Sequence, residues 1–172
     1  MSAHENVKAL TFDLFGTVLD LGGSLNPYIT TFLTEKGSDV DPDAFWAQWR
    51  YRQRIEQYQD SLVQMGHSGY LETAQKGFKY VCGLNGVAVT SDEADEFMEA
   101  WQHLQPFPDV LPNLPKLASR YKLIALSNGN RWVTKYERSN LSCSMSATHS
   151  DIAWTFAPTL AEFVTIILGT LI

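Results

Sequence analysis

The hydrophobic pattern of the chain contains two short apolar runs that are far apart in sequence. Residues 7–12 (Val-Lys-Ala-Leu-Thr-Phe) are rich in β-forming side chains, and Gly16 follows them closely. Residues 122–126 (Lys-Leu-Ile-Ala-Leu) form the second run, which leads into the polar string Ser-Asn-Gly-Asn. Apolar runs of this length that end in turn residues predict buried strands.

The segment between these runs has helical spacing, over residues 27–104. Pro42 lies between two aspartates and predicts a helix start, because proline is favoured in the first turn. Further helices are predicted over residues 71–81 and from Ser91, which can cap a helix whose first acidic residues complement its dipole. Three prolines then predict a break and a return from the helical segment: Pro106, Pro108 and Pro112.

The order of the elements indicates the fold class. A short helix is predicted over residues 114–120, just before the second apolar run. Strand, helical insertion, helix and strand are typical of an α/β fold with a parallel sheet. Sites in such sheets form at the carboxyl ends of the strands. Asp13 and Ser127 each follow a predicted strand, so we expect both at that edge.

Composition and charge exclude some classes of function. The 172 residues are 45% hydrophobic, which allows one packed core with a small appended domain. The net charge of −6 argues against a nucleic-acid partner, because phosphate binding needs a basic surface. Apolar residues 163–172 are too few to cross a bilayer, and no signal peptide is expected. We therefore expect a cytoplasmic protein with no membrane partner, in which Cys82 and Cys143 are buried or half-buried thiols.

The strongest chemical signal follows the first strand. Residues 12–20 (Phe-Asp-Leu-Phe-Gly-Thr-Val-Leu-Asp) resemble the first motif of the haloacid dehalogenase (HAD) superfamily, in which a strand delivers an aspartate to a Gly-Thr turn. A carboxylate held at a strand end can attack carbon or phosphorus and form an ester or acyl phosphate that water later cleaves. The resemblance implies that Asp13 is the nucleophile, and Gly16 lets the backbone turn sharply. The alternative is an aspartate that only caps a turn.

This resemblance also implies the architecture. It implies a Rossmann-like HAD core with a parallel sheet over residues 1–19 and 106–172. A helical cap over residues 20–105 is inserted after the first strand.

Phe15 narrows the chemistry that the motif implies. Phosphatases of the superfamily usually have a second aspartate at this place, which protonates a poorly leaving alkoxide. Phenylalanine cannot donate a proton, whereas halide leaves without one. We therefore expect dehalogenation without a metal, with Phe15 filling space beside the substrate. A magnesium-dependent phosphatase, with Mg²⁺ as its cofactor, is the alternative.

A second resemblance lies in the helical segment. Residues 49–58 (Trp-Arg-Tyr-Arg-Gln-Arg-Ile-Glu-Gln-Tyr) are similar to the cap segment of the 2-haloacid dehalogenases. In that family the arginine after the tryptophan helps to abstract the halide, and the match implies Arg50. A guanidinium suits halide or carboxylate because it is always charged and offers several donors. Arg52 and Arg54 are alternative counterparts, and a solvated basic helix face is a further interpretation.

The string after the second predicted strand resembles the second HAD motif, in which a Ser or Thr binds the charged group of the substrate. The resemblance implies that Ser127 holds the substrate carboxylate. It also implies that Asn128 donates to carboxylate or halide. The alternative is a polar turn without a ligand.

Two later family motifs have no match in the sequence. The third motif supplies a lysine, usually followed by proline, and the fourth supplies acidic or Asn-Asp residues. Lys135 comes only eight residues after Ser127, and the residue directly after it is not proline. The later acids are isolated: Glu137, Asp151 and Glu162. We therefore expect that the chain is truncated or altered after about residue 138, with reduced stability and steeply reduced catalysis.

Together, the resemblances imply a hydrolase that acts on carbon–halide bonds. They imply conversion of short 2-haloalkanoic acids to 2-hydroxy acids through an aspartyl ester. The expected partner is a small 2-halo acid, no cofactor is expected, and a homodimer is allowed because family members often dimerise. The alternatives are the phosphatase described above and a catalytically inactive, truncated HAD-like protein.

Overall fold

A computed structural model describes residues 7–62 and 68–125 of the chain. The elements of these residues are β1 Ala9–Phe12, β2 Leu19–Asp20, α1 Leu21–Glu35, α2 Pro42–Leu62, α3 Tyr70–Leu84, α4 Ser91–Met98, the 3₁₀ helix Glu99–His103, β3 Gln105–Pro106, α5 Val110–Ala118 and β4 Lys122–Ala125. The order matches the predicted strand, helical insertion, helix and strand. Predicted positions before residue 7 or after residue 125 lie outside the described residues.

The two predicted strands pair in parallel. In the register of this pair, Ala9 lies opposite Lys122 and Phe12 lies opposite Ala125. Parallel neighbours need a crossover connection, which the intervening helices supply. The α/β class with a parallel sheet is therefore confirmed.

Burial differs between the two paired strands. The last three residues of β4 are buried, as expected for a core strand. The prediction of a buried strand is wrong for β1, where Thr11 is exposed and the other residues are only partly covered. Among the described strands β1 pairs with β4 alone, so the pairing covers only one of its edges.

The helix before β4 begins earlier than predicted. It starts at Val110 and not at residue 114, so Pro112 does not break the chain. Pro112 is the third helical residue, where the missing N–H has no helical partner in any case. Pro106 forms part of β3, which pairs antiparallel with β2.

The chain divides into two compact units, with boundaries after Asp20 and after Leu104. The first unit contains residues 7–20 and 105–125 among those described. Its buried apolar side chains come from the turn after β1, from α5 and from β4. The second unit contains the helices α1 to α4 and the 3₁₀ helix.

Side chains at the helix ends explain where two helices of the second unit begin. Asp41 accepts a hydrogen bond from the backbone N–H of Ala44 at 2.9 Å, which caps α2 and confirms the start predicted from Pro42. The predicted cap of α4 is wrong by one residue. Thr90 is the cap and forms a reciprocal capping box with Glu93, a pair that satisfies two backbone donors.

Aromatic rings form the core of the second unit. Phe78 and Phe97 are stacked with their centroids 4.4 Å apart, and the Trp49 ring meets Phe78 edge-on at 5.3 Å. Trp49 is fully buried, and its indole N–H donates to the carbonyl of Ala74 at 2.7 Å. Trp101 packs against Trp49 at 6.0 Å. Trp49 and Trp101 therefore pack inside the helical segment.

A glycine permits the close approach of α2 and α3. A Cβ atom on Gly77 would lie 3.1 Å from the backbone nitrogen of Gln53 and 3.2 Å from the Trp49 ring. Both neighbours are fully buried and cannot move aside easily. Gly77 therefore fixes the distance between the two helices.

An ion pair joins the end of α1 to the start of α4. Lys36 Nζ lies 2.5 Å from Glu93 Oε1, while the backbone N–H of Thr90 donates to Glu93 Oε2 at 2.8 Å. The hydrogen bond from Lys36, followed by that from Thr90, lowers the pKa of Glu93 to about 2. The carboxylate therefore favours the folded state above its ordinary pKa of 4.5.

This contribution should disappear as the pH falls from about 4.5 towards 2, because over that range the unfolded state takes up a proton at Glu93 that the folded state does not yet bind. We expect the Glu93→Gln variant to lose less thermal stability than the wild type between pH 6 and roughly pH 3. The difference should be small and should shrink in high salt, because the pair is partly exposed. Equal acid sensitivity of the two proteins in thermal melts would contradict this role for Glu93.

Burial accounts for the state of the described cysteine. Cys82 is a free thiol that is fully buried, and burial raises its pKa to about 12. The expectation of a buried thiol is confirmed for Cys82, whereas Cys143 lies outside the described residues. Among the helices that the structure describes, none combines the length and apolar character needed to cross a bilayer.

Candidate active site

Asp13 follows β1 directly and is exposed. Behind it, the backbone folds into a tight turn in which the carbonyl of Leu14 accepts hydrogen bonds from Val18 at 3.1 Å and Leu19 at 2.9 Å. Gly16 has a φ of +89°, a conformation that side-chain-bearing residues rarely adopt. The hydrogen-bonded turn therefore presents a carboxylate to solvent at the carboxyl end of a strand.

The residues after Asp13 anchor this turn. Leu14 and Phe15 are 1% and 6% exposed, so their side chains belong to the core of the first unit. Phe15 also forms a bridge with Leu19 at the start of β2. The Phe15 ring occupies the position at which phosphatases of the superfamily usually have a second aspartate, and it cannot donate a proton. Whether Phe15 also touches substrate stays a prediction.

Arg50 lies on α2 in the second unit, where it is half-buried. Its Nη1 donates to Gln53 Oε1 at 2.6 Å and to the Tyr70 hydroxyl at 3.2 Å. The guanidinium carbon also lies 5.5 Å from the centre of the Trp46 ring, within the range of a cation–π contact. Arg50 is thus held from several sides, which argues against a freely solvated basic face.

The two alternative arginines have different surroundings. Arg52 forms a salt bridge to Glu56 at 2.5 Å, and its guanidinium lies 3.9 Å from the centre of the Tyr80 ring. Arg54 is exposed. Because a carboxylate already neutralises Arg52, it is a weaker candidate for binding an anion than Arg50.

The predicted residues are divided between the two units and the part of the chain that the structure does not describe. Asp13 and Phe15 share one turn of the first unit, whereas Arg50 belongs to the second. Ser127 and Asn128 lie outside the described residues, as do Lys135 and the acids that follow it. Their proposed roles stay predictions.

Sequence reasoning missed two residues beside Arg50. Gln53 and Tyr70 contact its guanidinium, and both are almost fully buried. A signal for Gln53 was present, because residues three apart on a helix lie on the same face. No sequence signal pointed to Tyr70, because it reaches Arg50 from the start of α3.

Other features of the described residues lie away from these side chains. No group of three or more His, Cys, Asp or Glu residues is placed to hold a metal ion in this part of the chain. An open groove of about 600 Å³ lies in the second unit, between α1, α4 and the 3₁₀ helix. Tyr28, Phe32 and Phe97 line it, and none of the predicted site residues does.

Comparison with known proteins gives related sequences and folds. No protein-family model matches the sequence. The chain is 24% identical over 151 residues to an (S)-2-haloacid dehalogenase of Pseudomonas putida, an alignment that covers 87% of this chain and 60% of that protein. An alignment of this length must extend past residue 138, into the segment where the family pattern was expected to fail. The alteration of the chain after about residue 138 stays a prediction.

Two solved structures of dehalogenases have the same fold. An L-2-haloacid dehalogenase from Xanthobacter autotrophicus is 20% identical, with a TM-score of 0.73 over 96% of this chain and 66% of that one. A defluorinating L-2-haloacid dehalogenase is 26% identical, with a TM-score of 0.72 over 95% of this chain and 69% of that one. The chain therefore spans about three fifths to two thirds of the length of such relatives.

Proposed function

We propose that this chain, which belongs to the HAD superfamily and is similar to its type II 2-haloacid dehalogenases, carries the nucleophile of a hydrolytic dehalogenase. The proposed substrates are short 2-haloalkanoic acids and the products are 2-hydroxy acids. The observation that carries the proposal is the exposed carboxylate of Asp13 at the end of β1, with Phe15 buried two residues later.

The first step is an in-line displacement at the halogen-bearing carbon. An Asp13 oxygen forms a bond to that carbon while the carbon–halogen bond breaks and its electron pair leaves with the halide. No proton has to be supplied to the leaving group, so the phenyl ring of Phe15 is no obstacle. The Xanthobacter enzyme has been solved with chloropropionic acid covalently bound, which is consistent with such an ester.

Water completes the reaction. It adds to the ester carbonyl of Asp13, and the 2-hydroxy acid leaves with an oxygen that came from the aspartate. One oxygen of water then stays in the carboxylate. The proposed steps use the carboxylate and water and need no cofactor.

Arg50 has the chemistry required for the departing halide. Its guanidinium is held by its partners, and a guanidinium is a cation that offers several donors to an anion. We assign the unit of residues 21–104 to the helical cap, close to the predicted 20–105, and the other unit to the catalytic core. In this assignment the cap supplies Arg50 and the core supplies Asp13.

Ser127 and Asn128 complete the proposed site on grounds of sequence. Asp13 comes one residue after β1, and Ser127 comes two residues after Ala125, the last residue of β4. Because parallel strands end at the same edge of a sheet, we expect Ser127 and Asn128 near Asp13, where they can hold the substrate carboxylate.

A substrate panel tests the proposed activity. We expect the chain to release chloride from one enantiomer of 2-chloropropionate without added metal, and to leave p-nitrophenyl phosphate unchanged with or without magnesium. Ion chromatography detects the chloride and absorbance detects the nitrophenol. Phosphate-ester turnover that appears only with magnesium would instead indicate a phosphatase, and inactivity on both substrates would indicate a non-catalytic protein.

A further inference from the structure

The contacts of the Arg50 guanidinium all come from uncharged groups. Within the described chain they are the amide oxygen of Gln53, the hydroxyl of Tyr70 and the ring of Trp46. None of the ion pairs in the described part of the chain includes Arg50. These groups therefore hold the guanidinium in place, and no carboxylate of the described residues cancels its charge.

Arg52, two residues later on the same helix, shows the usual arrangement. Glu56 accepts from its Nε at 2.8 Å and from its Nη2 at 2.5 Å. This carboxylate opposes the guanidinium charge at close range, so little of the field is left for a second anion. The contrast separates an arginine with a structural salt bridge from one whose charge remains available.

The groups around Arg50 are themselves fixed. Gln53 is fully buried where α2 meets Gly77 of α3, and Tyr70 is 4% exposed with its ring packed edge-on against Trp101 at 5.4 Å. Trp46 lies tightly against α1, since a Cβ atom on Gly22 would be 3.1 Å from its indole nitrogen. Such a rigid frame limits the positions that the guanidinium can adopt.

The choice of glutamine at position 53 has an energetic cost. Its Nε2 is buried and has no hydrogen-bond partner among the residues that the structure describes. A glutamate of nearly the same size would remove this unpaired donor and would bind Arg50 more strongly. It would also neutralise the guanidinium. The amide is therefore the choice that keeps Arg50 both positioned and charged.

We propose that Gln53 and Tyr70 are positioning residues that hold the Arg50 guanidinium by its Nη1 and leave its charge available for an anion. The inference about the anion rests on the proposed function, in which Arg50 receives the departing halide. Both contacts use Nη1, so Nε and Nη2 are the donors that we assign to the anion.

Nitrogen-15 NMR of the arginine side chains tests the positioning directly. A guanidinium held by Nη1 rotates slowly about its Cζ–Nε bond and gives separate Nη signals, and the signals lost in Arg50→Lys assign it. In Gln53→Met we expect rotation of Arg50 to become faster by about tenfold or more, because a strong charge-assisted bond is lost. Tyr70→Phe, which removes only the hydroxyl, should have a smaller effect in the same direction. Glu56→Gln is the matched control and should change only the signals of Arg52.

Bromide binding tests whether the charge of Arg50 is available for an anion. The broadening of the bromide NMR signal measures this binding. We expect Gln53→Glu to weaken binding by about tenfold or more although the size of the side chain is kept, because the new carboxylate opposes the guanidinium. Glu56→Gln should bind like the wild type, and thermal melts should show that all variants are folded.

The outcomes separate the two claims. Arg50 signals that do not change in Gln53→Met and Tyr70→Phe would overturn the positioning role, whatever the activity of the chain. Bromide binding as tight in Gln53→Glu as in the wild type would overturn the inference that neutrality matters. A third outcome is that the Arg50 signals change in the variants as expected but the wild type binds no bromide. This outcome would support the positioning of Arg50 and contradict its proposed use for halide.

Discussion

Replacing Asp13 with asparagine should reduce halide release from 2-chloropropionate by on the order of 10³-fold or more. The amide has nearly the same shape as the carboxylate but is a much weaker nucleophile. Because Asp13 is exposed in the first unit, the substitution should change the free energy of unfolding by less than about 0.5 kcal/mol. Initial rates of chloride release and denaturant unfolding of both proteins measure the two quantities.

A second exposed aspartate provides the control for this variant. Asp39, in the connection between α1 and α2, is exposed and has no proposed role in the reaction. Asp39→Asn should release halide at the wild-type rate. Activity retained in Asp13→Asn, or lost equally in both variants, would show that the nucleophile has been wrongly assigned.

The Trp49→Ala variant should have the largest effect on stability, a loss of about 3–5 kcal/mol in the free energy of unfolding. It removes a fully buried ring from between Phe78 and Trp101, and it removes the hydrogen bond from the indole N–H to the carbonyl of Ala74. Folded domains are stable by only about 5–15 kcal/mol, so this loss should remove a large part of the stability of the second unit. Guanidinium titration followed by circular dichroism measures the loss.

Tyr51 is the matched control for Trp49. It lies two residues later on α2 and is 69% exposed, so Tyr51→Ala should cost less than about 0.5 kcal/mol. Trp49→Phe should give an intermediate loss, because it keeps most of the ring contacts and removes the hydrogen bond to Ala74. Similar losses in Trp49→Ala and Tyr51→Ala would refute the aromatic core as the main source of stability in this unit.

The order of the elements was predictable from the sequence because local signals agree with the final fold. Proline after Asp41 starts α2, and the apolar run before Asp13 forms β1. The prediction of the helix cap was wrong because a neighbouring residue can also cap the helix. Thr90 caps α4 in place of Ser91 because the residue three positions after it, Glu93, can return the hydrogen bond. Burial of β1 depends on which strands lie beside it, and its own sequence does not contain that information.

The candidate site was predictable only in part. Asp13 stood out because its motif is contiguous in sequence, and Arg50 because of the segment around it. Tyr70 comes from another helix, so its contact with Arg50 is a property of packing between α2 and α3 that no local pattern records. The uncharged surroundings of Arg50 likewise appear only when the side chains are placed.

The most direct test of Asp13 as the nucleophile is a single turnover of 2-chloropropionate with excess protein in water enriched in oxygen-18. We predict that mass spectrometry will find one heavy oxygen in the peptide that contains Asp13, while the 2-hydroxypropionate formed has none. The Asp13→Asn variant serves as the blank. Heavy oxygen in the product after that first turnover, with an unlabelled Asp13 peptide, would mean that water attacks the substrate directly and would contradict the ester mechanism.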